Sequence, residues 1–309
     1  MHPSLRVTAA TLAVVLVAAC FDFDATMAGG PPGESEVDAA ANDGTTGNAP
    51  DGNVGNGDDG GAIDAALDAT DATGLPDGGP FCASLTPPDG GLFFCDDFDE
   101  RALPGSWNSF GETGGTLTET DAGALSKPNA LDETTTPTDG GQVVDVALRT
   151  TLGVPSLPAT LRFAFSVEPL QIDVTAAAAI VLGAVDFLDA TGDRYSLGLA
   201  INVSSGAPAL TLGEQTGYPD GGTVYVNHPL PPTEPLAMGA WSDVVIEIDW
   251  PAATTIDAMV FVNGTKKLDV PLTATVQATS LQIGVGTSYV SEPSPAWEIR
   301  YDNVVFTAQ

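Results

Sequence analysis

Glu247 and Asp249 stand two residues apart in the run Asp243 to Trp250, where Val244, Ile246, Ile248 and Trp250 alternate with polar side chains. At the strand period of two, both carboxylates face the same side. That is what paired acid/base chemistry needs, and it is also the polar face of any outer strand. Other routes to chemistry are narrow. Of the two histidines, His2 lies in a segment expected to be removed, so His228 stands alone and a multi-histidine zinc site is excluded. His228 falls in Val226-Asn227-His228-Pro229-Leu230-Pro231-Pro232, which reads as a proline-rich loop, and no Gly-x-Ser-x-Gly elbow accompanies it. A nucleophile triad is therefore not expected. The run Asp51 to Asp59 has the oxygen groups and glycine turns of a calcium loop, but Ala62 occupies the twelfth position, where a bidentate glutamate belongs.

Composition closes further classes. The chain of 309 residues carries 41 acidic and 9 basic side chains, a net charge of −32. Such a charge repels phosphate backbones and anionic head groups, which excludes nucleic acid as a partner and a polybasic contact with a membrane. With 43% apolar residues there is still enough material for a core.

The elements that would position any site begin after a long preamble. A basic Arg6 precedes thirteen uncharged residues, Val7 to Ala19, and then Cys20. Thirteen residues rise about 20 Å as a helix, too short for a hydrocarbon core of about 30 Å, so residues 1–19 read as a secretory signal. Val17-Ala18-Ala19-Cys20 resembles the bacterial lipobox, which implies a diacylated Cys20, a protein anchored through lipid only, and a cell-envelope address at the outer rather than the inner membrane. From Phe21 to Pro80 there are thirteen acidic residues, thirteen glycines and no Lys or Arg. This stretch, 20–80 with the lipidated cysteine, is expected to be a disordered acidic stalk. Cys82 and Cys95 then remain as a disulfide pair in an oxidising compartment.

From Phe81 the texture is that of strands. Period-two runs occur at Gln142 to Arg149, Thr160 to Val167, Ala179 to Phe187, Arg194 to Val203, Asp243 to Trp250, Ile256 to Asn263, Leu281 to Val285 and Trp297 to Phe306, and Asn263-Gly264 signals a two-residue hairpin. The expectation for 81–309 is an all-β, two-sheet antiparallel sandwich.

Three local patterns carry a resemblance. Phe94-Cys95-Asp96-Asp97-Phe98 with Trp107 opens the domain, Gly239-Ala240-Trp241 leads into the strand before Val262-Asn263-Gly264, and Ile299-Arg300-Tyr301-Asp302-Asn303-Val304-Val305-Phe306 closes it. Residues 92–309 resemble a concanavalin A-like lectin/glucanase jelly roll of the laminin-G type, which implies that the first and last strands pair. The resemblance further implies a structural calcium near those termini, held by Asp97 and Asp302 with Asp96 as a lesser candidate. Laminarinase-like hydrolases of the superfamily carry Glu-x-Asp-x-x-Glu; here Glu247 and Asp249 match, but Ala252 replaces the second glutamate and Pro251 ends the regular strand. No catalytic residue is therefore expected. The expected function is a non-catalytic, adhesion-type module, monomeric, binding a glycan or a surface protein. The alternatives are a laminarinase-type glycoside hydrolase and a purely structural envelope protein. Trp107, Tyr218, Tyr225, Trp250 and Tyr289 are the aromatics available for sugar stacking.

Overall fold

The computed structural model describes residues 80–309 except 100–101, 139–143, 154–158, 174–177, 190–193, 205–206, 218–222, 232–235, 253–254, 274–277 and 291–295. The signal segment, Cys20, the stalk and Tyr218 lie outside the described residues, as do the side chains of Trp250, Ala252 and Tyr289. A single 3-10 turn, Cys82–Ser84, precedes the strands.

The strands are β1 (Leu92–Asp96), β2 (Ser109–Thr113), β3 (Gly115–Thr120), β4 (Ala130–Thr135), β5 (Val144–Gly153), β6 (Thr160–Ile172), β7 (Ala178–Leu188), β8 (Arg194–Ser204), β9 (Ala207–Gly217), β10 (Thr223–Pro229), β11 (Ser242–Ala252), β12 (Thr255–Val262), β13 (Thr265–Pro271), β14 (Ser280–Val290) and β15 (Trp297–Ala308). They form two antiparallel sheets. The eight-stranded sheet runs β13-β12-β11-β6-β15-β4-β3, with β1 added on β15; the seven-stranded sheet runs β10-β9-β8-β7-β14-β5-β2. β15 shares one edge between two partners: β4 pairs with Glu298 to Tyr301 and β1 with Val304 to Ala308. The first and last strands thus pair, as the jelly-roll resemblance implied.

The sheets meet through their alternating apolar positions. Phe163, Phe165, Val244, Ile246, Tyr301 and Phe306 from one sheet face Val146, Leu148, Ile180, Val185, Leu199 and Ile283 from the other, all buried in one continuous core. At about 25 cal/mol per Å² of apolar surface removed from water, this interface is the main stabilising term. Gly183 sits at a bulge in β7, where an added Cβ would lie 2.7 Å from the Phe165 ring and 3.1 Å from that of Phe163. Two rings of the facing sheet therefore need a residue without a side chain there. The Asn263-Gly264 hairpin takes positive φ at both positions, +49° and +70°, the turn geometry whose twist matches flanking strands. Cys82 and Cys95 form a disulfide with a Cα–Cα distance of 5.7 Å, tying the segment before the domain to β1.

Two carboxyls are enclosed in the eight-stranded sheet. Glu133 on β4 points inward and accepts hydrogen bonds from Trp297 Nε1 at 3.0 Å, Tyr301 OH at 3.0 Å and Thr287 N at 3.3 Å. Burial outweighs these bonds and pushes its pKa up to about 7. Asp302, at a bulge in β15, accepts from Leu125 N, Ser126 N and Ser126 Oγ at 2.9 Å and from Asn303 N at 2.8 Å. Burial also raises it to about 7.

Candidate functional site

Register decides which polar side chains share a surface. On β11, Val244, Ile246 and Ile248 enter the core, so Glu247 and Asp249 lie on the outer face of the eight-stranded sheet, where Arg162 on β6 stands 3.5 Å from Glu247. Regular pairing of β11 with β12 breaks between Asp249 and Ala252, beside Pro251. The carboxylate pair is an ion-paired outer surface.

The carboxylates of the implied calcium site are engaged within the protein. Asp97 accepts Cys82 N at 2.8 Å and Asp99 N at 3.4 Å, and Asp302 is ringed by the four donors given above. Asp302 thus spends its lone pairs on N–H and O–H donors, and Asp97 spends one on each oxygen. Among the described residues no group of three or more His, Cys, Asp or Glu could hold a metal ion.

His228 corrects the sequence reading most directly. It belongs to strand β10, not a loop, and pairs across from Leu212 on β9. Its Nε2 meets Glu214 Oε1 at 2.5 Å, and Glu214 Oε2 accepts from Tyr195 OH at 2.9 Å and from Thr273 N and Oγ1 at 2.8 Å. Burial pushes the Glu214 carboxyl up, but the bonds from His228, Thr273 and Tyr195 outweigh it and hold the group below its ordinary value. The cluster locks β8, β9 and β10 together from the inside.

The outer face of the seven-stranded sheet has a different character. One register row crosses all seven strands: Ser109 pairs with Arg149, Arg149 with Gly284, Gly284 with Ala184, Ala184 with Gly198, Gly198 with Gly213 and Gly213 with Asn227. Four consecutive strands thus contribute nothing larger than a methyl group. The adjacent row is polar throughout: Thr151, Gln282, Asp186, Ser196, Gln215 and Tyr225. Seven strands at about 4.8 Å spacing make a floor about 29 Å long, the length of several sugar rings.

Asp145, Arg149, Asp186, Ser196 and Thr211 all point away from the core, yet each is less than a tenth exposed. The middle of the face is therefore a shielded strip, recessed between exposed ends at Ser109, Thr151 and Asn227. Within it, Arg149 pairs with Asp145 on its own strand, and Arg194 Nη2 lies 2.7 Å from Asp186 Oδ2 across β7 and β8. At Gly198 an added Cβ would meet nothing nearer than 3.9 Å, so packing does not call for glycine there. A strand-interior glycine goes with a bulge or with close approach of another molecule to the backbone, and here the β7 bulge at Val181 to Gly183 lies beside it.

Of the aromatics singled out from sequence, Tyr225 is in the polar row, whereas Trp107 is 4% exposed and packs edge-on to Phe94 at 4.8 Å. Arg149, Arg194, Asp186, Gln215 and the glycine row went unnoticed in the sequence, where the only available signal was a run of small residues at alternate strand positions.

No family model matches the chain, and no curated protein matches it by sequence. Among solved structures, the endo-β-1,4-glucuronan lyase from the fungus Trichoderma reesei superposes with a TM-score of 0.53 at 17% identity, covering 70% of this chain and 95% of that one. An alginate lyase from Chlorella virus superposes with a TM-score of 0.45 at 11% identity, covering 66% and 94%. The first likeness establishes the shared sandwich. The expectation of a non-catalytic, adhesion-type module and of no enzyme is corrected here: the solved structure that superposes is an enzyme and not a binding module. The Glu247 and Asp249 pair of the hydrolase alternative lies on the outer face of the eight-stranded sheet, away from the glycine row.

Proposed function

We propose that the protein is a carbohydrate-processing enzyme of the polysaccharide lyase type, acting on an acidic polysaccharide laid across the outer face of the seven-stranded sheet. The observation that carries this reading is the recessed row Gly284, Ala184, Gly198 and Gly213 beside a continuous polar row, with guanidinium groups in a chain of net charge −32. A polymer crossing the strands can approach the backbone there, and its acid groups need local cations because the protein as a whole repels them. The likeness to a glucuronan lyase supports the class.

The chemistry assigned to the face is β-elimination on a uronate ring. The C5–H and C4–O4 bonds break, the C4=C5 double bond forms, and no water is consumed. Arg194 on β8 neutralises the ring carboxylate, which acidifies the C5 proton. Tyr225, two strands and about 10 Å away on β10, takes that proton as phenolate and returns it to O4, ending as it began. Gln215 on β9 lies between them as a hydrogen-bonding floor.

Incubating the full chain with polyglucuronate and with alginate should generate the ultraviolet absorbance of an unsaturated uronate. Gly198→Leu should abolish it without lowering the melting temperature, because the added side chain enters the recess and not the core. Reducing ends appearing without absorbance would mean hydrolysis, and no product from either polymer would sink the reading.

The enzyme is assigned to the cell envelope on the strength of Val17-Ala18-Ala19-Cys20 and the acidic stretch after it. Cys20→Ala should move the protein from the detergent phase to the aqueous phase in phase partition. A wild-type chain already in the aqueous phase would end that assignment.

A further inference from the structure

We propose that Arg149, oriented by Asp145, forms a second carboxylate-binding subsite at the β5 end of the glycine row, several sugar units from the ring held at Arg194. The inference rests on the reading above and adds to it what the protein measures along the polymer.

The room for this pair is built by glycines on both sides. On β2, a Cβ at Gly111 would come within 2.5 Å of the Asp145 carboxylate; on β14, a Cβ at Gly284 would lie 3.0 Å from Leu148 O and 3.3 Å from Arg149 Cγ. Any larger residue at either position would push the pair out of place. Both glycines sit inside strands, where their cost in strand stability goes unrewarded unless the space matters.

The placement of charge points the same way. Of the basic residues described, Arg162 and Arg300 belong to the other sheet, where they pair with Glu247 and with Asp132 and Glu168, Lys127 lies in the connection from β3 to β4, and Lys266 and Lys267 lie on β13 just beyond the β12–β13 turn. Among the described residues, Arg149 and Arg194 are the guanidinium groups on the recessed face. They stand on β5 and β8, three strand spacings apart across the sheet, and Arg194 lies four residues along β8 from Gly198, so the two positions are about 20 Å apart. From Arg149 the row offers Gly284, Ala184 and Gly198, and from Gly198 the way along β8 to Arg194 passes Ser196, so a chain running obliquely across the strands meets small side chains between the two arginines. Two guanidiniums joined by a bare floor suit a polymer that carries a carboxylate on every unit, since each planar fork binds a carboxylate through paired N–H donors.

The two arginines differ in consequence. One acts on the reacting ring, so its loss lowers turnover; the other touches a distant ring, so its loss weakens binding of long chains and leaves short ones indifferent. Chain-length dependence is a readout that a purely structural role for Arg149 would not produce.

The test uses the full chain and purified oligouronates from the disaccharide to the hexasaccharide, with kcat and KM measured for wild type, Arg149→Gln and the double variant Asp145→Asn/Arg149→Gln. The double variant avoids leaving a buried aspartate without its partner. KM for the hexasaccharide should rise about tenfold in both variants, the loss expected of one charge-assisted contact, while kcat holds and the effect fades as chains shorten. A loss equal at all lengths together with a lower melting temperature would make Arg149 structural, and no change at any length would remove the subsite. Should wild type cleave no uronan, the lyase reading fails separately. The subsite is then decided by electrophoresis through gels containing alginate or polyglucuronate: retardation of wild type relative to the double variant supports it, and equal mobility overturns it.

Discussion

Tyr225→Phe is expected to lower turnover of an acidic polysaccharide by about two to four powers of ten, the usual worth of a positioned acid/base group. The substitution removes one oxygen from a side chain in the outer row of an edge strand, so melting temperature should change little. Arg194→Gln is expected to cost about 10²- to 10³-fold in kcat, because a neutral amide cannot stabilise the charge that gathers on the uronate carboxylate as the C5 proton leaves. That variant has a structural consequence as well: Asp186, 2% exposed, loses the guanidinium 2.7 Å away. Arg194→Gln/Asp186→Asn separates the effects, since the double variant restores neutrality to the buried pair and should recover melting temperature without recovering turnover. Full activity in Tyr225→Phe with an intact fold would remove that residue from the reaction. Activity restored by Asp186→Asn would show that Arg194 acts only as a counter-charge.

Much of the fold could be read in the sequence because its information is local. Eight alternating runs each became a strand, and Asn263-Gly264 specified its hairpin through two positive φ angles. The short strands β2, β3 and β4 were not read, and neither were β9 and β10. Pro208, Gly213, Gly217 and Pro229 are poor strand formers, and these strands are held by pairing with β8 and by the inward lock of Glu214 with His228 and Tyr195. Half of the candidate site, Gln215, Tyr225 and Asn227, rides on those two strands; Gln215 and Asn227 went unseen with them, and Tyr225 was picked out only as an aromatic available for sugar stacking. The Glu247/Asp249 pair shows a second limit. Alternation states whether a side chain points into the core or away from it, but both sheets have an outer face, and only the strand order says which. Arg149, Gly284, Ala184, Gly198 and Gly213 come from five strands spanning residues 144–290, and nothing in the sequence around any one of them announces the row.

The largest expected effect on stability comes from the enclosed carboxyls. Glu133 is raised from 4.5 to about 7 and Asp302 from 3.8 to about 7 in the folded chain, by burial in both cases. A carboxyl whose folded pKa lies above its unfolded value favours the fold while it is protonated in both states. That contribution is complete below about pH 4 and is lost as pH rises through about 7. Stability should therefore fall between pH 5 and pH 8, by about 3 kcal/mol for Glu133 and about 4 kcal/mol for Asp302 once each is fully ionised. Glu133 is the cleaner probe, because its environment is fixed from three sides by Trp297 Nε1, Tyr301 OH and Thr287 N. Tyr301 stays a neutral donor across this range, its own pKa held well above the ordinary value by burial and by the Glu133 carboxylate. Glu133→Gln keeps an acceptor for Trp297 and Tyr301 but cannot ionise, so urea or thermal melts should show a smaller decline toward pH 8 than wild type. Asp302→Asn should remove a second portion of the slope, and the double variant should be nearly flat except for the general repulsion of a chain with 41 acidic residues. A wild-type melting temperature that rises from pH 5 to pH 8 would refute the assignment, since it would require carboxyls whose ionised form the fold prefers.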